Sequence, residues 1–126
     1  MESGVTLREF YRAEYDQATL RLARLYYEAG QAALAVPLYK RLLRAEPTLE
    51  DIVRDLYHCY HQLGDLSALI REDHHLREAL RKTYHTPNGD VQPYEPERET
   101  VTLFNSIRDE LEVRGGDGRS GESRVA

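Results

Sequence analysis

Two glycines spaced 34 residues apart constrain this chain more than any other feature of its sequence. Gly30 closes the segment 25–29 and Gly64 closes the segment 59–63, and both segments carry apolar residues at helical spacing and no proline. Glycine commonly ends a helix because it adopts the left-handed backbone conformation at little cost. A repeat period of about 20–50 residues indicates stacked supersecondary units. The spacing therefore predicts one helix–turn–helix unit written twice.

The hydrophobic pattern predicts helices along most of the chain. Apolar residues recur at intervals of three and four, and no segment of useful length alternates between apolar and polar residues. Pro47 ends the second helix, and Thr48 is a suitable N-cap for the third. We predict an all-α fold of tetratricopeptide-like antiparallel helical hairpins, with two repeats and a C-terminal capping helix. The predicted helices are Leu7–Ala29, Ala32–Ala45, residues 49–63, Leu66–Tyr84 and Glu97–Val113.

The pattern predicts one domain over residues 6–113. A turn is expected at residues 86–90, because Asn88 and Gly89 form a strong turn dipeptide. From Gly115 onward the chain contains glycine, serine, arginine and acidic residues, and almost nothing that a core could bury. Residues 114–126 are therefore expected to form a disordered tail or a linker.

The composition narrows the classes of function. No apolar run approaches the ~20 residues that span a bilayer. The first residues lack the pattern of a secretory leader, so we expect a cytoplasmic protein without membrane contact. The formal net charge of −5 and the lack of a dense basic run disfavour direct nucleic-acid binding, since Lys and Arg neutralise phosphates. Cys59 is the single cysteine and excludes an internal disulfide.

Position by position, the two copies resemble the tetratricopeptide repeat to different degrees. The first copy carries the key positions as Leu22, Ala23, Tyr26, Gly30, Ala35, Tyr39, Leu42 and Pro47. Its small residues let two helices approach, and its tyrosines fill the space between adjacent helix pairs. The second copy reads Leu56, Tyr57, Tyr60, Gly64, Leu69, Asp73, Leu76 and Arg81. Asp73 departs from the pattern and requires a partner or solvent, because an unpaired buried carboxylate is costly.

Four further segments carry a more specific likeness. They are LRLARLYYEAGQ at residues 20–31, RLLRAEP at 41–47, LREALR at 76–81 and ETVTLF at 99–104. With these segments, the stretch from about Leu7 to Leu111 resembles the bacterial transcriptional activator domain. That domain is the tetratricopeptide-like module of antibiotic-pathway regulators in actinomycetes and related bacteria.

The resemblance implies a non-catalytic regulatory and oligomerisation module that acts by protein–protein contact inside a transcriptional regulator. In such regulators a winged-helix DNA-binding domain normally precedes the module. The implied partners are the regulator's own DNA-binding domain, a second copy in a homodimer, or the transcription machinery. No cofactor and no direct nucleic-acid contact are expected. The alternative is a free-standing tetratricopeptide-type adaptor that binds a peptide or a partner protein.

In repeats of this kind, the first helix of each pair lines a concave groove. The candidate groove residues are Arg24, Tyr27, Glu28, Arg54, His58, His61 and Gln62. The cationic and aromatic members suit an acidic peptide, a neighbouring domain or an anionic ligand. The alternative is a solvated helix face, or contact with the chain's own fifth helix.

The histidines raise the alternative of a metal-dependent enzyme. His58 and His61 are three residues apart on one helix, and His74 and His75 follow on the next. Neither pair is completed by a cysteine or carboxylate at a known ligand spacing, so we predict no metal site and no catalytic residues. Cys59 has no organised partner and is expected to be a packing residue.

Overall fold

The computed structural model describes residues 6–84 and 95–125, with side chains for residues 6–84 and 95–115. The helices are α1 (Leu7–Glu28), α2 (Ala32–Ala45), α3 (Glu50–Leu63), α4 (Leu66–Thr83) and α5 (Arg98–Val125). These described ranges contain no strand, which confirms the all-α prediction. The turn expected at residues 86–90 lies outside them.

The fifth helix is longer than predicted. It continues to Val125, whereas the sequence pattern predicted an end at Val113. Its buried apolar side chains are Phe104, Ile107 and Leu111. Extending an existing helix fixes one residue for each new hydrogen bond, so continuation costs far less than a new start. The backbone of residues 114–125, expected as a tail or linker, is therefore helical, and the domain boundary at residue 113 stays a prediction.

Each helix packs on the next along the chain from α1 to α4, and α5 packs on both α3 and α4. α3 is consequently the central helix, with α2, α4 and α5 around it. The ring of Phe104 on α5 lies 5.7 Å from the ring of Tyr57 on α3, centroid to centroid. The largest fully buried side chains are Tyr39, Tyr57, Leu56, Leu69, Leu76, Val53, Thr100 and Cys59.

The turns at the two glycines have the same backbone structure. Gly30 has φ of 78° and Gly64 has φ of 69°, and no other described residue has a positive φ. The Gly30 N–H donates to the Tyr27 carbonyl and the Gln31 N–H donates to the Tyr26 carbonyl, with N···O distances of 3.0 and 2.8 Å. The same two bonds recur 34 residues later around Gly64. Both helices therefore end in a Schellman motif, as the spacing predicts.

Asp73, the acidic residue of the second copy, has an ion-pair partner within its own helix. The Asp73 carboxylate lies 3.0 Å from Nε of Arg77 and accepts a hydrogen bond of 3.4 Å from the hydroxyl of Tyr57. Arg77 also reaches the carboxylate of Glu95, at 2.8 Å. An aspartate can occupy this position of the repeat because a neighbouring guanidinium compensates its charge.

α1 buries much less of its surface than its sequence pattern predicts. Every side chain from Thr6 to Tyr15 is exposed, and the buried residues of α1 are Thr19 and Ala23. Leu22, a key packing position of the repeat pattern, is 43% exposed. For the first turns of α1 the physical reason is length, because α2, its main neighbour, has 14 residues against 22.

Candidate functional site

A surface cavity of about 250 Å³ lies where α1, α2 and α3 meet. We call it the interhelix cavity. Its lining residues are Arg24, Tyr27, Glu28, Tyr39, Asp55 and His58. Four of the seven candidate groove residues are thus brought together: three from α1 and His58 from α3. The first helix of each hairpin supplies a wall, as expected for the groove.

An ion pair joins the two walls of the cavity. Nε of Arg24 donates to Oδ2 of Asp55 at 2.8 Å, and both side chains are partly exposed. This hydrogen bond raises the pKa of the Arg24 guanidinium above its ordinary value. The Arg24 guanidinium is therefore charged at neutral pH, and both side chains can exchange hydrogen bonds with an incoming polar group because solvent reaches them.

Aromatic rings form the rest of the cavity lining. The rings of Tyr27 and His58 are 6.3 Å apart, centroid to centroid, and tilted by 50°. Tyr39 is almost fully buried at the base, and burial raises the pKa of its hydroxyl above the ordinary value. Tyr39 is therefore neutral at physiological pH and is a packing residue with a polar tip. The cavity lining combines the half-buried rings of Tyr27 and His58 with one partly exposed ion pair.

Two candidate groove residues, Arg54 and His61, bind the chain's own fifth helix instead of lining the cavity. Nη1 of Arg54 donates to Oγ1 of Thr100 at 2.8 Å and to Oε1 of Glu97 at 3.1 Å, and its side chain is 19% exposed. His61 contacts the carboxylate of Glu110, and this contact lowers the pKa of Glu110. This is the contact with the fifth helix that the sequence left as the alternative.

The expected cationic strip is therefore not a free cationic surface. Arg24, Arg54 and His61 each have a carboxylate partner. The last candidate, Gln62, is exposed and lies outside the cavity lining. The structure thus divides the seven candidates into a cavity group, an α5 group and one exposed residue.

Sequence reasoning missed two residues of the cavity, Asp55 and Tyr39. Asp55 precedes His58 by three residues, a spacing that places both on one helix face, so a signal for it was present. Tyr39 was assigned to the core, and its buried position agrees with that assignment. Its contact with the cavity depends on how α2 crosses α1 and α3, which no local pattern encodes.

Three of the candidate histidines each contact a different residue. His58 lies beside Tyr27, His61 contacts Glu110, and Nδ1 of His75 lies 3.8 Å from Glu72. In the part of the chain that the structure describes, no three His, Cys, Asp or Glu side chains are grouped as metal ligands would be.

Cys59 is fully buried in the core. Burial raises the pKa of its thiol to about 12, with a smaller contribution from the negative charge of Asp55. The thiol is therefore protonated at neutral pH and unreactive as a nucleophile, since the thiolate is the reactive form. Its role is packing within α3.

The architecture that results is a helical, repeat-like scaffold with a small mixed-polarity cavity between its hairpins. Among the residues described, no helix combines the length and the apolar character needed to cross a bilayer. Comparisons with models of protein families, with curated proteins and with solved structures found no match to this chain.

Proposed function

We propose that this chain is a non-catalytic protein-contact module that binds a segment of a partner protein at the interhelix cavity. The observation that carries the proposal is the composition of that cavity: the rings of Tyr27 and His58 beside the exposed pair Arg24–Asp55. Tyrosine and arginine, with tryptophan, are enriched among the residues that dominate the energy of protein–protein contacts.

The size and chemistry of the cavity favour a peptide side chain over a small metabolite. Its volume of about 250 Å³ is below the ~300–1,000 Å³ of typical small-molecule sites. One side chain of a partner can pack beside the rings while its backbone exchanges hydrogen bonds with Arg24 and Asp55. Because the ion pair offers both donor and acceptor, the preferred segment is polar or of mixed charge; the sequence left open an acidic peptide, a neighbouring domain or an anionic ligand.

The regulatory part of the proposal rests on the repeat and on the family resemblance. The 34-residue period, the two matching Schellman turns and the consecutive packing of the helices support tetratricopeptide-like hairpins. Helical repeats of this kind commonly present one face to a partner. With the resemblance to the bacterial transcriptional activator domain, they support a module that relays contact within a transcriptional regulator.

The cavity can be tested by selecting peptides from a displayed random library on the purified chain. Peptides enriched on the wild-type chain should bind Tyr27→Ala more than about tenfold more weakly, because an anchor ring is lost. Gln62→Ala is the matched control, since Gln62 is a groove candidate outside the cavity. A lack of enrichment, or an equal loss in both variants, would contradict the proposal.

The regulatory role has its own test in the full reading frame. Where a winged-helix region is encoded upstream, that region, purified separately, should bind the chain and lose affinity on Tyr27→Ala. A reading frame without a DNA-binding region, together with retained peptide binding, would favour the free-standing adaptor. Circular dichroism of each variant should show unchanged helix content, because Tyr27 is only half-buried.

A further inference from the structure

A second surface cavity lies between α2 and α4, which are the second helices of the two hairpins. We call it the α2–α4 cavity, and its volume is about 320 Å³. Its floor consists of buried apolar side chains, namely Leu43, Val53 and Leu76. Its rim consists of exposed nitrogen-bearing side chains, namely Lys40, Arg44 and His75. Small-molecule sites typically have volumes of ~300–1,000 Å³ and an apolar lining with a few polar groups, and this cavity has both properties.

Helical spacing builds the two walls of the α2–α4 cavity. Lys40, Leu43 and Arg44 have the spacing i, i+3 and i+4, which places them on one face of α2. The lining residues of α4, from Glu72 to Leu76, have the same spacing. Each hairpin therefore supplies one wall, and a molecule in the cavity would contact both hairpins.

The two cations of the α2 wall have no ionic partner. Lys40 and Arg44 are exposed, and neither is paired with any residue that the structure describes. α2 itself contains no acidic residue. Two like charges four residues apart on a helix repel each other. An anion bound between them would remove this repulsion and form charge-assisted hydrogen bonds with both side chains.

Among the lining residues that the structure describes, Glu72 is the one carboxylate, and contacts within the chain already occupy it. It is buried, and its Oε1 accepts a hydrogen bond of 3.4 Å from the hydroxyl of Tyr60. Its Oε2 lies 3.8 Å from Nδ1 of His75. When His75 is neutral, the two cations and this carboxylate leave the lining with one net positive charge. The cavity is therefore complementary to a ligand with a single negative charge.

We propose that the α2–α4 cavity binds a small organic monocarboxylate with an aromatic or branched alkyl body. The carboxylate lies between Lys40 and Arg44, because a guanidinium can donate two parallel hydrogen bonds to it. The apolar body packs on Leu43 and Leu76. A phosphate monoester fits less well, since it carries nearly two negative charges at neutral pH. The bound molecule contacts α2 and α4 together and stabilises their arrangement.

The α2–α4 cavity and the interhelix cavity are separate sites. They share no lining residue, although both are open to solvent. Their occupants also differ, because one would hold a polar segment of a protein and the other a small apolar monoanion. The inference goes beyond the proposed peptide binding, and each can fail without the other.

An NMR titration of the whole chain with 3-phenylpropionate tests the site. A ligand of about eleven non-hydrogen atoms should bind with a Kd in the millimolar range or below. The shifted backbone amides should cluster at residues 40–47 and 72–76. The neutral amide of the same acid should bind at least about fivefold more weakly, and 3-phenylpropylamine should show no saturable binding, because neither carries the negative charge.

Exposed cations provide matched variants. Lys40→Gln and Arg44→Gln should each weaken 3-phenylpropionate binding at least about threefold, and the double variant at least about tenfold, because each removes one charged donor. Lys82→Gln and Arg21→Gln are the controls, since both residues are exposed and lie outside the lining. Circular dichroism should show unchanged helix content in all of these variants, because none of the four side chains is buried.

Three results would overturn the proposal. They are no saturable binding of 3-phenylpropionate up to about 20 mM, an amide or amine that binds as tightly as the acid, and wild-type affinity in the double variant. Tyr27→Ala should leave 3-phenylpropionate binding unchanged, which distinguishes this site from the interhelix cavity.

Discussion

The α1–α2 hairpin and the α3–α4 hairpin have opposite relations between sequence pattern and burial. The first copy matches the repeat pattern better, yet its Leu22 is 43% exposed, whereas the equivalent Leu56 of the second copy is fully buried. The second copy departs from the pattern at Asp73, yet it contains most of the core. The comparison shows that a close match to the repeat pattern predicts where two helices and their turn form, but not how much of their apolar surface is buried.

Neighbours explain the difference. α3 has α2 on one side and α4 and α5 on the others, whereas α1 packs mainly on α2. Repeat units generally depend on adjacent units to cover their apolar faces, and terminal units need a cap. α5 covers parts of α3 and α4. α1, with α2 as its main neighbour, keeps several apolar side chains exposed.

The largest expected loss of stability comes from Leu56, and the equivalent Leu22 of the first copy should lose much less. Leu56→Ala should lower the free energy of unfolding by about 2–5 kcal/mol, because it opens a cavity in the core. Leu22→Ala should cost less than about 1 kcal/mol, because Leu22 is already 43% exposed. Urea unfolding followed by circular dichroism measures both. Equal losses would show that the two hairpins do not differ in burial.

Loss of the Arg54 contacts that join α3 to the fifth helix should have the next largest effect on stability. Arg54→Ala should cost about 1.5–3 kcal/mol, because the half-buried guanidinium donates to the buried Thr100 and to Glu97. Arg24→Ala removes an exposed ion pair and should cost less than about 1 kcal/mol. The same unfolding measurement compares them. A smaller loss for Arg54 than for Arg24 would contradict the role of Arg54 as an anchor of α5.

Replacing the turn glycine should lower the stability by a similar amount in the two hairpins. Gly30→Ala and Gly64→Ala should each cost about 1–2 kcal/mol, because both residues have left-handed backbones. No atom lies within 4 Å of the added Cβ at either site, so only the backbone conformation contributes. Gly115→Ala, within α5, is a control expected to be neutral or stabilising. Clearly different losses at Gly30 and Gly64 would weaken the repeat interpretation.

The smallest effect concerns the ion pair of His61 and Glu110. The pKa of Glu110 lies below its ordinary value, mainly because of the hydrogen bond to His61. A carboxyl whose pKa is lower in the folded state stabilises above its unfolded pKa, and this contribution disappears as the pH falls through its folded pKa.

An NMR titration of the Glu110 carboxyl carbon should therefore show a depressed midpoint that returns to the ordinary range in His61→Gln. Arg114→Gln should move the midpoint less, because Arg114 makes a smaller contribution. A midpoint that His61→Gln leaves unchanged would count against contact between α3 and α5 at this point.

Local signals predicted much of the fold. Gly30, Gly64 and Pro47 punctuate the sequence, and the predicted ends of α2, α3 and α4 agree with the structure to within one residue. The end of α5 was predicted twelve residues too early, because a glycine-rich composition was taken as the end of helix. Propensity is a weak signal where an anchored helix can simply continue.

The candidate site was predicted only in part. Arg24, Tyr27, Glu28 and His58 could be grouped from repeat register, because each lies on the first helix of a hairpin. The sequence could not show that Arg54 and His61 contact the α5 region and do not line the groove. Their partners lie 43–49 residues away along the chain. Charge pairing across helices decides which cations remain available, and that is a tertiary property.

By itself, the amino-acid sequence determined the helical class, the 34-residue period and the two glycine turns, because these follow from backbone conformation and local spacing. Only the tertiary structure decided which apolar faces are covered, which cations are paired and where a cavity remains. Burial and electrostatic pairing depend on neighbours far apart along the chain. For that reason the better repeat motif, α1–α2, is the one that still presents an open apolar face.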